Sequence, residues 1–172
     1  MTSDTILSFQ YKLLDWYGSN ARVLPWRDNP SPYRVWISEI MLQQTRVEAV
    51  IPYFERFLAE VPTVRDLAAL PEDRLMKLWQ GMGYYSRARN LKRAACILTE
   101  QYNGELPSDR KALQALPGIG PYPSGAIASI AFGAAEPAVD GNVLRVLARI
   151  TGNRQDLKDR QTRKELEDLA VK

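Results

Sequence analysis

The sequence lacks histidine and contains a single cysteine, Cys96. The absence of histidine excludes Ser-His-Asp and Cys-His catalysis, and it excludes zinc sites that use histidine ligands. One thiol forms no internal disulfide and holds no iron–sulfur cluster. Because Cys96 falls within the helical pattern of Leu91, Ala94, Ala95 and Leu98, we expect a buried structural thiol.

Long apolar segments are also lacking, so the sequence contains neither a secretory signal core nor a membrane-spanning run. We therefore expect a cytoplasmic protein, nucleoid-associated if its source is bacterial, that has no membrane partner. Its 172 residues suffice for one large domain or for two lobes that share a core. The net charge of +3 permits nucleic-acid binding without requiring it.

Helical periodicity is present nearly throughout, and no convincing pair of strands occurs, so we predict an all-α fold. Ser31 followed by Pro32 is typical of a helix start, and this helix is predicted to run through Thr45. A second helix is predicted to be capped by Ser86 and to end near Tyr102.

Residues 108–132 predict a helical hairpin with a glycine turn. Ser108 is the predicted N-cap of the first helix, Gly118 helps to end it, and the second helix opens at Pro121. Gly118 and Gly120 carry no Cβ, so the backbone can approach a phosphate at the positive end of the second helix. The alternative is a helical hairpin that binds nothing.

Glu39 is predicted to lie on a helix that is apolar on nearly all sides, with Val35, Trp36 and Leu42 one turn away. Burial raises the pKa of a carboxyl group, so Glu39 is a candidate general acid near neutral pH. The alternative is a buried glutamate that is paired with an arginine such as Arg27.

Asp140 precedes Gly141, Asn142 and an apolar run, a pattern typical of a helix N-cap. The alternative is a carboxylate that faces the same cleft as the hairpin, with its pKa kept low by the helix dipole. A neutral Glu39 and an ionised Asp140 together would form the kind of pair that breaks a glycosidic bond.

A loop with two glycines and two tyrosines, residues 80–86, leads into a basic stretch. One interpretation is that Tyr84 and Tyr85 are core aromatics. The other is that Tyr84, after Gly83 and close to Arg87, wedges into a base stack. The cluster Gln43-Gln44-Thr45 is predicted either to bind base edges or to cap its helix.

Six segments in this order resemble the helix-hairpin-helix DNA glycosylases, and most closely the MutY-type adenine glycosylases. The resemblance covers roughly residues 4–152. The motifs that carry it are Leu24-Pro-Trp-Arg27, Trp36-Ile-Ser-Glu-Ile-Met-Leu-Gln-Gln-Thr45, Ile51-Pro-Tyr-Phe-Glu-Arg56, Trp79-Gln-Gly-Met-Gly-Tyr-Tyr-Ser-Arg-Ala-Arg-Asn90, Leu116-Pro-Gly-Ile-Gly-Pro-Tyr122 and Val139-Asp-Gly-Asn-Val143.

The resemblance implies roles for single residues. Glu39 matches the acid that protonates adenine N7, and Asp140 matches the carboxylate that stabilises the oxocarbenium ion. Tyr122 matches a residue beside the reacting sugar, and Asn142 one that orients the acid and a water. The implied base pocket comprises Trp26, Arg27, Leu42 and Val47. The implied DNA contacts are Gln43, Gln44, Thr45, Gly83, Tyr84 and Arg87, with Leu116, Gly118, Ile119 and Gly120 of the hairpin.

The resemblance also implies an architecture of two helical lobes. Residues 31–138 would form a six-helix barrel lobe, which includes the hairpin. Residues 1–30 and 139–172 would belong to an incomplete second lobe, with Phe9, Leu13 and Trp16 partly exposed. The family's [4Fe-4S] cluster needs four cysteines that are absent here, so we expect no cofactor encoded in this chain and no metal held by side chains. The hairpin carbonyls are a candidate cation site, as in the family.

Two features of the hairpin modify the expected chemistry. The endonuclease III branch has lysine where this sequence has Tyr122, and a phenol forms no imine, so base excision is expected to leave an abasic site without strand cutting. Pro123 and Ser124 replace the family's usual Thr-Ala, although proline is tolerated in a first helical turn.

The expected function is excision of adenine opposite 8-oxoguanine or guanine by a monomer acting on duplex DNA. One alternative is a related glycosylase that removes thymine or uracil from a mismatch. The other is a truncated module that binds DNA without turnover.

Overall fold

The computed structural model describes residues 3–171, and the regular secondary structure in that range is entirely α-helical. The predicted all-α fold is confirmed. Within these residues, none of the helices has both the length and the apolarity that crossing a membrane requires. The helices are α1 (Ser3–Asn20), α2 (Pro25–Asp28), α3 (Pro32–Leu42), α4 (Val47–Glu60), α5 (Val64–Ala69), α6 (Glu72–Trp79), α7 (Ser86–Gln101), α8 (Arg110–Gln114), α9 (Pro121–Phe132), α10 (Gly141–Thr151) and α11 (Arg160–Ala170).

The described chain divides into two compact units. The larger unit is Leu24–Ala138, and the smaller unit combines the described residues up to Val23 with those from Val139 onward. Residues 24–30 therefore belong to the larger unit, which corrects their predicted place in the second lobe. The reason is that Leu24 and Trp26 are buried, and the Trp26 ring meets the Phe54 ring edge-on with centroids 5.3 Å apart.

The core of the larger unit is built around α3, which packs against α4 and α9. This helix is apolar on almost every side, and Trp36, Ile37 and Met41 are completely buried. Ser31 starts it as predicted, since its Oγ accepts a hydrogen bond from the Arg34 N–H and Pro32 occupies the first turn. A helix buried in this way fixes the position of any polar side chain that it carries.

Three predicted helix ends and one predicted burial differ from the structure. The helix α3 ends at Leu42 and not at Thr45. Ser86 is the first residue of α7 and does not cap it. The N-cap of α8 is Asp109, whose carboxylate accepts a hydrogen bond of 2.8 Å from the Ala112 N–H, and not Ser108. Cys96 is half-buried, where a fully buried thiol was expected.

In the smaller unit, α10 and α11 pack around Leu144, Ala148 and Leu166. Leu13 and Trp16 of α1 are exposed and Phe9 is half-buried, as expected. An apolar groove of about 410 Å³ lies between α1, α10 and α11. The smaller unit is thus less completely packed than the larger one.

Candidate functional site

Glu39 lies on the buried helix α3 and is itself half-buried. Burial raises the pKa of its carboxyl group from 4.5 to about 7, while the positive charge of Arg27 acts in the opposite direction. The predicted upward shift is confirmed, and the charge of Arg27 acts on Glu39 without cancelling that shift. Near neutral pH this carboxyl group can therefore hold and release a proton.

The four predicted base-pocket residues come from three consecutive elements of the larger unit. Trp26 is buried and Arg27 is exposed on the short helix α2, Leu42 ends α3, and Val47 begins α4. The helix α2 is held by Arg34, whose guanidinium donates a 2.7 Å hydrogen bond to the Pro25 carbonyl. Their role in binding a base stays a prediction.

The turn after α3 presents Gln44 to solvent. Gln44 has a φ of 59°, a left-handed conformation that costs a non-glycine residue roughly 1–2 kcal/mol. The Thr45 N–H donates to the Leu42 carbonyl at 3.2 Å, which closes the turn. We call residues 43–45 the first turn.

A second strained turn follows α6. Gly81 and Gly83 have φ values of 93° and 74°, and Tyr84 has a φ of 49°. The Trp79 indole N–H donates a 3.0 Å hydrogen bond to the Gly83 carbonyl. The side chain of Tyr84 is exposed and so is that of Tyr85, so the alternative that they are core aromatics is wrong. We call residues 81–84 the second turn.

Among the predicted DNA contacts, Arg87 is the residue whose surroundings differ most from the prediction. It is 7% exposed, and its guanidinium donates hydrogen bonds to backbone carbonyls of Ile40, Met41, Gln43, Met82 and Gly83 and to the Thr45 hydroxyl. Both terminal nitrogens are therefore engaged by the protein interior, and Nε is buried without a hydrogen-bond partner among the described residues. The partners of Arg87 lie up to 47 positions away, which is why sequence reasoning missed this role.

The hairpin has the predicted glycine turn between α8 and α9. Leu116 and Ile119 are buried beneath the turn, and the Ile119 N–H donates to the Leu116 carbonyl at 3.2 Å. Gly118 has a φ of 82°, and a Cβ there would lie 2.9 Å from the Asn90 Cβ. A Cβ at Gly120 would meet nothing within 4 Å, so that backbone is open to an approaching group. Phosphate and cation binding at this turn stay predictions.

The start of α9 accommodates the unusual pair Pro123-Ser124. The Ser124 N–H donates to the Gly120 carbonyl at 3.1 Å, so the helix proceeds normally past Pro123. The Ser124 hydroxyl donates to the Pro121 carbonyl and accepts from the Gln114 side-chain amide at 3.0 Å. Tyr122 lies between the two prolines and is 37% exposed.

Asp140 and Asn142 lie in the smaller unit, at the start of α10. One carboxylate oxygen of Asp140 accepts from the N–H groups of Asn142 and Val143 at 2.8 and 2.9 Å. The other oxygen accepts from the Asn142 side-chain amide at 2.8 Å. The predicted N-cap is confirmed, and the catalytic role of Asp140 stays a prediction alongside it.

The residues of this chain do not fit a four-cysteine iron–sulfur cluster. Its single thiol, Cys96, lies on α7 with its sulfur 4.0 Å from the Ala68 carbonyl. Among residues 3–171, no three or more His, Cys, Asp or Glu side chains are grouped so as to hold a metal ion.

Comparison with known proteins gives a consistent result. Residues 37–172 match a family described as HhH-GPD superfamily base excision DNA repair protein. The chain is 45% identical over 154 residues to the adenine DNA glycosylase of Homo sapiens, which covers 84% of this chain and 28% of that protein. It is 43% identical over 159 residues to the adenine DNA glycosylase of Buchnera aphidicola subsp. Acyrthosiphon pisum (strain APS), covering 92% of this chain and 45% of the relative. The chain thus spans less than half the length of these curated relatives.

Solved structures share the same fold. A thermostable thymine-DNA glycosylase superposes with a TM-score of 0.88 and 29% identity, over 98% of this chain and 77% of that one. A trapped endonuclease III–DNA covalent intermediate superposes with a TM-score of 0.77 and 25% identity, over 99% of this chain and 82% of that one.

Proposed function

The chain belongs to the HhH-GPD superfamily of base excision DNA repair proteins, and from this we propose that it removes adenine from duplex DNA by hydrolysing the N-glycosidic bond. The observation that carries the proposal is the carboxyl group of Glu39, whose burial raises its pKa to about 7. A purine anion is a poor leaving group, so cleavage needs an acid that is still protonated near neutral pH. The names of the relatives, which are about 44% identical, favour adenine as the base.

In the proposed reaction Glu39 donates its proton to N7 of adenine. The bond between C1′ and N9 breaks, its electron pair stays with the base, and positive charge develops on the sugar. Asp140 stabilises that charge, and water adds to C1′ and passes a proton to the Glu39 carboxylate, which restores the acid. The products are free adenine and an abasic site. Because Tyr122 supplies no amine, no imine forms with the sugar and the strand stays intact.

The substrate that we propose is a duplex with adenine opposite 8-oxoguanine or guanine, bound by a monomer in the cytoplasm. The exposed Tyr84 side chain suits insertion into the base stack, and the exposed Gln44 amide suits hydrogen bonding to the opposite base. The open backbone at Gly120, directly before α9, suits a phosphate of the strand that carries the target.

A second candidate is removal of thymine from a mismatch, since a thymine-DNA glycosylase is among the structures with the same fold. That structure is 29% identical to this chain, whereas the adenine glycosylases are 41–45% identical. The protonated Glu39 also suits a purine, which offers N7 as a proton acceptor.

The test is an excision assay with labelled duplexes that carry adenine opposite 8-oxoguanine, adenine opposite guanine, thymine opposite guanine, or only matched pairs. Alkali converts abasic sites to strand breaks, which are then counted. We expect alkali-dependent breaks at adenine, and a loss of at least a hundredfold in Glu39→Gln and in Asp140→Asn. Breaks at thymine alone would support the second candidate.

Two matched controls separate chemistry from folding. Asp159 caps α11 through the Thr162 N–H at 2.8 Å, so Asp159→Asn reproduces the Asp140→Asn change at a cap of the same unit. Glu55 is an exposed glutamate of α4, so Glu55→Gln is the matched control for Glu39→Gln. Both controls should retain activity. Tight duplex binding without any product from the unmutated chain would leave a binding module and overturn the proposed reaction.

A further inference from the structure

We propose that Arg87 is a positioning residue that joins the first turn to the second turn and so holds Gln44 and Tyr84 in one arrangement for reading the base pair. This inference rests on the proposed function for its biological meaning. Its structural content, the joining of the two turns by one buried side chain, can be measured without DNA.

The first turn is held at its beginning and its end. One terminal nitrogen of Arg87 donates to the carbonyls of Ile40 and Met41, at 3.1 and 2.8 Å, and to that of Gln43. The other donates to the Thr45 hydroxyl at 3.1 Å. These carbonyls belong to the last turn of α3 and its cap, where helical N–H donors run out. The Ile40 carbonyl also accepts the Gln43 N–H at 3.4 Å, so Arg87 adds to the hydrogen bond that closes the helix end. Arg87 thus donates hydrogen bonds to the carbonyls at the C-terminal end of α3. These bonds fix the direction in which the chain leaves the helix.

The second turn is held by the same guanidinium. The nitrogen that binds Thr45 also lies 3.3 Å from the carbonyls of both Met82 and Gly83. The Arg87 backbone N–H donates to the Tyr84 carbonyl at 2.9 Å. The guanidinium carbon is 5.4 Å from the centre of the Tyr84 ring and 5.5 Å from that of the Trp79 ring. One side chain therefore contacts both turns and the aromatic ring that the second turn presents.

Each turn contains a non-glycine residue whose backbone is in the unfavourable left-handed conformation. Gln44 and Tyr84 have φ values of 59° and 49°, and non-glycine residues leave this region unless surrounding contacts hold them. The acceptors of Arg87 are neutral oxygens that belong to these turns and to the end of α3. Loss of the guanidinium would release both turns together, which is how a single residue can control two recognition side chains.

Arginine suits this place better than lysine. The guanidinium is a planar fork that can donate in two directions at once, whereas an ammonium group is a point donor on a flexible stem. Arg87→Lys keeps the positive charge but loses the planar fork that donates to both turns. It therefore separates the effect of joining the turns from the effect of charge.

The first experiment measures amide hydrogen exchange in the free protein. In Arg87→Lys we expect exchange at least tenfold faster at the amides of Thr45 and Met82, one on each turn. The matched control is Lys92→Met on the same helix, because Lys92 donates to the Ala68 and Leu70 carbonyls and contacts neither turn. Exchange at Thr45 and Met82 should be unchanged in Lys92→Met. Unchanged exchange in Arg87→Lys, or a change at one turn alone, would overturn the proposal.

The second experiment asks whether joining the turns matters for recognition. Relative to the unmutated chain, Arg87→Lys should bind a duplex with adenine opposite 8-oxoguanine at least tenfold more weakly and should bind a fully matched duplex equally well. A double-mutant cycle then adds Gln44→Ala and Tyr84→Ala. Each should weaken binding severalfold in the unmutated chain and less than twofold in Arg87→Lys. Fully additive losses would overturn the coupling.

The outcomes distinguish this inference from the proposed function. If the unmutated chain excises no base, the proposed function fails, while the exchange measurement still decides whether Arg87 joins the turns. If excision occurs and Arg87→Lys binds and exchanges like Lys92→Met, the proposed function stands and this inference fails. Should Arg87→Lys fold poorly, Thr45→Val removes one bond between Arg87 and the first turn. Exchange at Met82, on the second turn, should then become faster, and unchanged exchange at Met82 would overturn the proposal.

Discussion

Arg27 and the burial of Glu39 act on the same carboxyl group in opposite directions, and burial has the larger effect. The pKa of Glu39 rises to about 7 although the positive charge of Arg27 lowers it. The carboxyl group is therefore close to half-protonated at neutral pH, so both its function and its contribution to stability are sensitive to pH.

The rate of base excision should depend on the protonation of Glu39. Because the protonated form is the active acid, single-turnover excision should be constant well below pH 7 and should fall about tenfold per pH unit well above it. Arg27→Gln should move the inflection to higher pH, since removing a nearby positive charge disfavours the carboxylate. The control is Arg74→Gln, whose charge acts on Glu60 at the surface. If the inflection stays at the same pH in Arg27→Gln, the charge of Arg27 does not lower the pKa of Glu39.

Stability should fall as pH rises from about 4.5 to about 7. The pKa of Glu39 is raised in the folded state, so over this window the folded chain holds a proton that the unfolded chain has lost. The contribution is on the order of 3 kcal/mol or less, present below pH 4.5 and lost by the time the pH passes 7. The measurement is urea unfolding of the unmutated chain and of Glu39→Gln at several pH values. The difference in unfolding free energy between the two proteins should change across this window and stay constant above it, and a difference that does not change would show that Glu39 is solvated.

Because Asp140 caps α10, two substitutions at this position should differ in their effects on stability and on activity. Asp140→Ala should destabilise the chain by about 1–2 kcal/mol, because the N–H groups of Asn142 and Val143 lose their acceptor. Asp140→Asn should be nearly neutral, since asparagine caps about as well. Thermal and urea unfolding of the two variants check this. If Asp140→Asn is stable and still excises adenine at the full rate, Asp140 is a cap and nothing more.

The two hairpin glycines should respond differently to the same substitution. Gly118→Ala places a side chain at a φ of 82° against Asn90 and should cost about 1–2 kcal/mol in stability. Gly120→Ala meets open space and should change stability by less than about 1 kcal/mol. If a phosphate approaches this backbone, Gly120→Ala should nevertheless weaken duplex binding severalfold. Unaltered binding by a stable Gly120→Ala protein would place the phosphate elsewhere.

Tyr122 predicts the absence of a covalent imine. Incubation with a substrate duplex and borohydride should trap no adduct, while alkali still reveals abasic sites. Gel electrophoresis under denaturing conditions reports both results from one reaction. A trapped adduct in proportion to excision would show that another amine of the chain attacks the sugar.

Several features of the site follow from short stretches of sequence. The N-caps at Ser31 and Asp140 depend on residues within three positions, which is why they were predictable. The glycine turn of the hairpin and the apolar surroundings of Glu39 are equally local. Predictions of helix ends were weaker where tertiary contacts intervene. The helix α3 ends at Leu42, and the carbonyls at this end accept hydrogen bonds from Arg87, which lies 44–47 residues further along the chain.

By itself, the sequence determined that the chain is helical, where its caps and glycine turns fall, and which carboxyl group lies among apolar residues. Only the tertiary structure decided that Leu24 and Trp26 join the core of the larger unit and that Tyr84 is exposed. It also decided that Arg87 is buried and that its guanidinium donates to backbone carbonyls of distant segments. The physical reason is the distance along the sequence over which each effect acts. Periodicity and capping depend on residues a few positions apart. Burial and the partners of a guanidinium depend on segments that meet only after folding.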